Sequence, residues 1–344
     1  MTTFRTGPAP TAATAPPAAG GAAACAAAQA VPAPPADAAA LPAGGALRFP
    51  TLTTTVPKEL VHRASVAEVL LTDWARTGTN RFEVSAQWPR GHSFFTPVQG
   101  RHDPLIAAET FRQAAILLAH TEFGVPLDHP FLMHALTLDV HPEHLGTGTA
   151  PATIDIDMTC HDITWRRGAA ATIGFEAAFR RGGQIVGSAR GTCTCTTPAV
   201  YARLRGARRA AAGRQPALTA PLAPQHVGRT SPADVVLSPT AEPRRWLLRT
   251  DTHHPVLFDH QVDHVPGMVL LEAARQAAVA TLGQATFVRH LAAAFERYTE
   301  LDTPCTLETT PLPHHPAGRR ILVHAHQMGT PVFTATVATD HHPA

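Results

Sequence analysis

The chain has 344 residues, 44% of them hydrophobic, and a formal net charge of +2. That length admits two domains of ordinary size, each with its own core, and the near-neutral charge argues against nucleic acid as the main partner. No apolar run approaches the ~20 residues of a membrane helix, no signal peptide is evident at the Ala- and Pro-rich start, and five cysteines without a dense framework suit the reduced thiols of a cytoplasmic protein.

Residues 1–50 are nearly all Ala, Pro, Gly and Thr. Such a segment buries too little apolar area to offset its ordering entropy, so a disordered tail is predicted. Order is expected from "TVPKELVHRASVAEVLLTDW" onward. "RFEVSAQWP" alternates like a strand. "DPLIAAETFRQAAILLAHTEFG" has the length and composition of a helix, with Asp103–Pro104 as cap and first turn and Gly124 as stop. "FLMHALTLDV", "ATIDIDMTCHDITW", "AATIGFEAAFRRG" and "QIVGSARGTCTCT" follow as antiparallel strands between Gly and Pro signals. Cys193 and Cys195 alternate within the last of these, on one strand face rather than as a redox or zinc pair. The stretch 201–228 reads as a linker with a helical start, its basic "RLRGARR" solvated. The pattern then restarts with "RRWLLRTD" as a strand and "PGMVLLEAARQAAVATLG" as a helix. Strands follow near "ATFVRHLAAAFERY", "CTLETTPL", "RILVHAHQMG" and "PVFTATVAT".

The second pattern repeats the first. "DPLIAAETFRQAA" aligns with "PGMVLLEAARQAA" without a gap, placing Glu109 on Glu272, Arg112 on Arg275 and Gln113 on Gln276. An apolar helix must be wrapped, and a curved antiparallel sheet can wrap it. The expected fold is therefore α+β: two tandem hotdog domains, 51–200 and 229–341, paired within one chain as a pseudo-dimer. Further homo-oligomerisation is left open.

Glu and Arg at i and i+3 share a helix face, with Gln beside them. An exposed ion pair there is worth little. Here apolar residues spread around both helices, so the polar stripe is narrow and is expected to border a cleft. A half-buried Glu109 or Glu272 would then have a raised pKa and could act as a base. His92 and His260 lie in the His-rich turns before the helices and are read as catalytic or substrate-contacting candidates, against a solvated loop role. No metal-ligand spacing appears there, and neither metal nor cofactor is expected. The Pro266–Gly267 turn opens a helix whose free N–H groups could meet an oxyanion or a phosphate. It could equally be a bare helix start.

Two stretches carry a resemblance: "VHRASVAEVLLTDWARTGTNRFEVSAQWPRGHSFFTPVQGRHDPLIAAETFRQAAILLAHTEFGVPLDHPFLMH" and "HPVLFDHQVDHVPGMVLLEAARQAA". They resemble the A-factor biosynthesis (AfsA-type) proteins, tandem-hotdog enzymes of γ-butyrolactone signalling, over nearly everything after residue 55. The resemblance implies an acyltransferase moving a β-ketoacyl group from acyl carrier protein to dihydroxyacetone phosphate. The second stretch is shared more loosely with β-hydroxyacyl carrier-protein dehydratases, where a His before one helix works with an acid on the partner's helix. Glu272 matches that acid and His260 approximates that His. The loop after His260 is shorter than in those dehydratases, and Arg275 replaces a small residue, both of which favour the A-factor type. In this reading Glu109 or Glu272 serves as base, Arg112 or Arg275 holds the phosphate with Gln113 or Gln276 beside it, and the Gly267 N–H meets the oxyanion. The competing readings are a hotdog thioesterase or dehydratase, and a non-enzymatic butyrolactone- or acyl-binding regulator.

Overall fold

The structure, a computed structural model, describes residues 53–211, 216–283, 286–313 and 318–340. The tail expected over residues 1–50 lies outside the described residues. The first unit comprises β1 (Leu71–Gly78), β2 (Arg81–Trp88), α1 (Pro104–Glu122), β3 (Phe131–Val140), β4 (Ala152–Arg166), β5 (Ala169–Arg181) and β6 (Gln184–Cys195). Helix α2 (Pro198–Ala211) leads to the second unit: β7 (Leu237–Pro239), β8 (Arg245–Leu248), α3 (Gly267–Leu282), β9 (Val288–Phe295), β10 (Cys305–Pro311), β11 (Arg320–Gln327) and β12 (Thr330–Thr339).

The strands form one sheet in the order β1-β2-β4-β5-β6-β3-β9-β12-β11-β10-β8-β7. Read from either edge, the order of the two halves is the same, so the internal repeat in sequence is a repeat in topology. The halves meet at β3 and β9, antiparallel, with Leu138 opposite Leu291 and Asp139 opposite His290. Strand β4 illustrates how sequence sets the inner face. Ala152, Ile154, Ile156, Met158 and Cys160 alternate inward and are all buried.

Each half wraps one helix. The Asp103 carboxylate accepts from Leu105 N and Pro104 occupies the first turn of α1, whose chain leaves through Gly124 at φ +67°. Helix α3 differs at its start: Pro266 precedes it and offers no side-chain cap. Its end at Gly283, φ +104°, donates back to Val279 O. Both helices are buried nearly all round. From Leu105 to Ala119 only Arg112 is not fully buried, and Met268 to Val279 are all buried. That is the environment an all-round apolar helix requires.

Two strands were not separable in the sequence. Strand β1 buries only Leu71, because it is a sheet edge with no period-two apolar face, and β7 has three residues. The segment read as a solvated linker also needs correcting. Arg205 of α2 is 2% exposed. It forks onto Glu300 at 2.7 and 2.8 Å, reaches Asp263 at 3.2 Å, and lies over the Tyr298 ring. The Tyr201 hydroxyl donates to Asp263 at 2.6 Å. Helix α2 therefore pins the loop that leads into α3.

Candidate functional site

The matched helices carry the same polar cluster twice. Glu109 takes bonds from Arg112 at 2.8 and 2.9 Å, from Gln113 at 2.6 Å and from Arg63 at 2.6 and 3.0 Å. Glu272 takes them from Arg275 at 2.7 and 2.8 Å, from Gln276 at 2.5 Å and from Arg229 at 2.6 and 2.7 Å. The glutamines also splice each helix to its unit's N-terminal arm. Gln113 bonds Glu68 O and Leu70 N; Gln276 bonds Asp234 O and Val236 N. Each arm arginine then crosses to the other unit, Arg63 to Val256 O and Arg229 to Phe94 O.

This geometry overturns the expectation of a raised carboxylate pKa. Burial alone pushes Glu109 and Glu272 up, but two guanidiniums on each carboxylate more than offset it and hold both at about 2. Glu109 and Glu272 are 1% and 0% exposed. They are fixed anions that aim arginines, not half-buried bases at a cleft wall.

A cavity of about 780 Å³ lies between α1 and the loop that enters α3. Of the expected site residues it takes Arg112, His260 and Gly267 into its wall, together with Arg63. Glu109 and Gln113 stand one layer behind Arg112. The Arg112 side chain is 18% exposed, and among the described residues its Nη1 has no protein partner. Phe111, Ile116, Met133, Phe175 and Leu271 add an apolar stretch to the wall, which Asp263, Glu296 and Arg297 also line. His260 is half-exposed, 3.5 Å from Asp259, whose carboxylate binds Ala64 N and Ser65 N and approaches Arg63 to 4.0 Å. His260 thus belongs to the Glu109 side and is not paired with Glu272. Gly267 opens α3 at the cavity, and a Cβ there would stand 3.2 Å from the Phe295 ring, so its missing side chain also makes room for that ring.

The Glu272 cluster, with Arg275 and Gln276, lies outside that wall. Arg229 is wholly buried and adds a 2.8 Å bond to Asp103. His92 is likewise not part of the cavity wall. Its Nδ1 accepts from Phe94 N and Phe95 N and its Nε2 faces Glu68 at 3.4 Å. His254 repeats this arrangement with Val256 N, Leu257 N and Asp234. The imidazole at this place organises a turn in both units.

Arg63 and Arg229 escaped the sequence reading although a signal for them exists. Val61–Leu71 and Val227–Leu237 align without a gap and match at Val61, Arg63, Ser65, Ala67, Val69 and Leu71. That second repeat carries the arm arginine as plainly as the helix repeat carries Glu109.

Two sheet-wrapped helices, paired in one chain through β3 and β9 and sharing a cavity at their junction, define a tandem hotdog protein. A family profile described as "AfsA: A-factor biosynthesis hotdog domain" matches residues 46–197 and 210–341, and the chain belongs to that family. It is 51% identical over 290 residues to the 2-oxo-3-(phosphooxy)propyl 3-oxoalkanoate synthase of Streptomyces virginiae, covering 84% of this chain and 98% of that protein. The synthase of the same name from Streptomyces coelicolor is 42% identical over 286 residues, covering 82% of this chain and 91% of that protein. That from Streptomyces griseus is 40% identical over 283 residues, covering 81% and 94%.

Proposed function

We propose that this protein is an acyltransferase that joins a 3-oxoacyl group to the hydroxyl of dihydroxyacetone phosphate, releasing the carrier thiol. The relatives' shared name describes the ester such a transfer makes. The observation that carries the reading is the cavity itself, where a pair of arginines and an uncapped helix start face an apolar space large enough for an acyl chain.

Each wall element has a task in that reaction. Arg112, braced by Glu109 and with Nη1 unused by protein, offers a fixed donor to the phosphate, and Arg63 adds its charge. The first N–H groups of α3, at Gly267, lie at the positive end of the helix dipole and stabilise the oxyanion as the thioester carbonyl is attacked. The apolar wall holds the acyl chain and excludes water, which would otherwise compete as nucleophile. Acyl carrier protein is the donor in this reading, and the reaction belongs with the carrier-bound acyl pool of the cytoplasm. The dehydratase alternative is disfavoured because Glu109, the helix acid nearest His260, is tied into two arginines.

Incubating the protein with a 3-oxoacyl carrier-protein thioester, with and without dihydroxyacetone phosphate, tests the proposal. Mass spectrometry is expected to show the phosphorylated ester, and thiol release is expected only when the phosphate is present. Thiol release at the same rate without it would make the protein a thioesterase instead.

A further inference from the structure

The Glu109 cluster, open to the cavity through Arg112, and the Glu272 cluster, sealed outside it, differ at one pair of positions that the polar repeat does not explain. The alignment of Val61 with Val227 places His62 on Gly228, and that of Glu109 with Glu272 places His120 on Gly283. Both members of a histidine pair in the open copy are therefore glycines in the sealed one. His62 keeps the left-handed backbone that Gly228 has, φ 51° against 66°, a region that a residue with a Cβ rarely occupies. Such a residue is a place to look for function.

His62 lines the cavity beside Arg112, and its Nε2 lies 2.9 Å from His120 Nε2. Hydrogen-bond bookkeeping fixes both rings. His120 Nδ1 is 2.7 Å from Val125 O, which can only accept, so the His120 proton sits on Nδ1 and its Nε2 is bare. The proton between the two rings then belongs to His62 Nε2, which leaves His62 Nδ1 unprotonated, with the Leu127 carbonyl beside the ring. Phe131 holds both rings edge-on, at 5.3 Å from each.

We infer that His62 is the proton acceptor of the transfer, with His120 fixing its tautomer. This rests on the acyl-transfer reading above. The hydroxyl oxygen of dihydroxyacetone phosphate bonds to the thioester carbonyl carbon as its proton passes to His62 Nδ1. The carbonyl electron pair moves onto oxygen at the start of α3. The pair then returns, the C–S bond breaks, and His62 gives its proton to the departing thiolate. Ester and thiol result, and His62 ends neutral.

The surroundings suit that role. Burial first, then His120, Arg112 and His260, push His62 down to about 4, while the Leu127 carbonyl pulls the other way. The ring is therefore unprotonated at neutral pH. A phosphate dianion on Arg112 cancels one of the depressing charges, so the base strengthens when the acceptor substrate binds. Glu109 cannot compete for the role, since its oxygens are occupied by Arg63, Arg112 and Gln113.

The test uses the full-length protein with His62→Gly, whose backbone is already that of glycine in the other copy. His62→Gln, which keeps side-chain bulk, serves as a second variant. In the assay above, both are expected to lose kcat by ~100-fold or more, with KM for dihydroxyacetone phosphate within about threefold. Added imidazole is expected to restore rate to His62→Gly, rising with pH as free imidazole (pKa about 7) loses its proton. Wild-type kcat in the variants, a loss confined to KM, or a kcat loss that imidazole leaves unchanged would each overturn the proposal. An inactive wild-type protein would remove the acyl-transfer reading and this one with it; an active wild type beside an equally active His62→Gly removes this one alone.

Discussion

Glu109 and Glu272 occupy the same turn of the same helix in the two units, each bonded by a glutamine four residues on and by two arginines. Around Glu272 the cluster is closed. Arg229 is fully buried and clamped to Asp103 at 2.8 Å, and Arg275 is 3% exposed. Around Glu109 it is loose on one side. Asp259 comes only to 4.0 Å from Arg63, Arg112 reaches the cavity, and α3 begins there without the side-chain cap that Asp103 gives α1. Asp103 thus closes one copy twice, as helix cap and as arginine partner, and the place it holds is taken by Pro266 in the other. The difference teaches that a duplicated constellation need not be a duplicated site. The same residues act as mortar in one unit and stand behind or in a cavity wall in the other.

The sharpest way to break this comparison is to remove each carboxylate in turn. Glu272→Ala leaves Arg229 and Arg275 buried without their main anion, and about 3–5 kcal/mol of stability is expected to go with it. Glu109→Ala leaves Arg63 and Arg112 next to a cavity that can admit water and counter-ions. Its loss is expected to be smaller, about 1–2 kcal/mol, with transfer activity abolished because Arg112 is no longer aimed. Urea unfolding midpoints of the two variants decide it; equal losses would mean that both clusters are equally sealed.

Acid tests both carboxylates at once. Their pKa values are depressed from the ordinary 4.5 to about 2 in the folded protein. Their stabilisation is therefore complete above pH 4.5 and is lost as pH falls toward 2, because the unfolded chain takes up protons first. Unfolding free energy measured between pH 5 and pH 2 is expected to fall by on the order of a few kcal/mol. Glu272→Gln is expected to flatten that slope, and an unchanged slope in this variant would show that other groups carry the acid sensitivity.

Arg112→Ala and Arg275→Ala separate binding from support. Loss of a charge-assisted donor to the phosphate costs about 1.5–3 kcal/mol, so Arg112→Ala is expected to raise KM for dihydroxyacetone phosphate by about 10- to 100-fold with a modest stability change. Arg275→Ala is expected to lower stability and leave KM where it is. Steady-state kinetics beside thermal melts read both effects, and a KM rise in Arg275→Ala would reopen the sealed copy as a site.

Much of this was legible in the sequence, and the gaps have physical causes. Length and apolar composition, with the Asp103–Pro104 and Pro266–Gly267 starts, marked both helices. Period-two alternation marked β4, where one face is core and the other is not. It failed at β1 because an edge strand with Asp73, Trp74 and Arg76 need not alternate, and at β7 because three residues carry no period. The Glu-x-x-Arg-Gln echo marked both polar clusters but misjudged their electrostatics. The second guanidinium on each carboxylate, from Arg63 and Arg229, lies 46 and 43 residues away in sequence. Nothing local to Glu109 announces them. The solvated reading of Arg205 failed for the same reason, since Glu300 is 95 residues distant.

The smallest effect probes the glycine that marks the sealed copy. At position 62, His62→Gly and His62→Ala both delete the imidazole and differ only by a Cβ in a left-handed backbone, so the alanine variant is expected to be less stable by about 1 kcal/mol. At position 228 the backbone is the same, but a Cβ would also stand 3.3 Å from Arg275 Nη1 and 3.6 Å from the Val279 side chain. Gly228→Ala is therefore expected to cost more than the His62 pair differ, because Arg275 is bonded to Glu272 and Val227 O and cannot step aside. Equal increments at the two positions would mean that the Arg275 side of the sealed copy has slack. A larger increment at 228 would show that the sealed copy has no room there for a side chain of any kind, and that a histidine can stand at this turn only where the cluster opens onto the cavity.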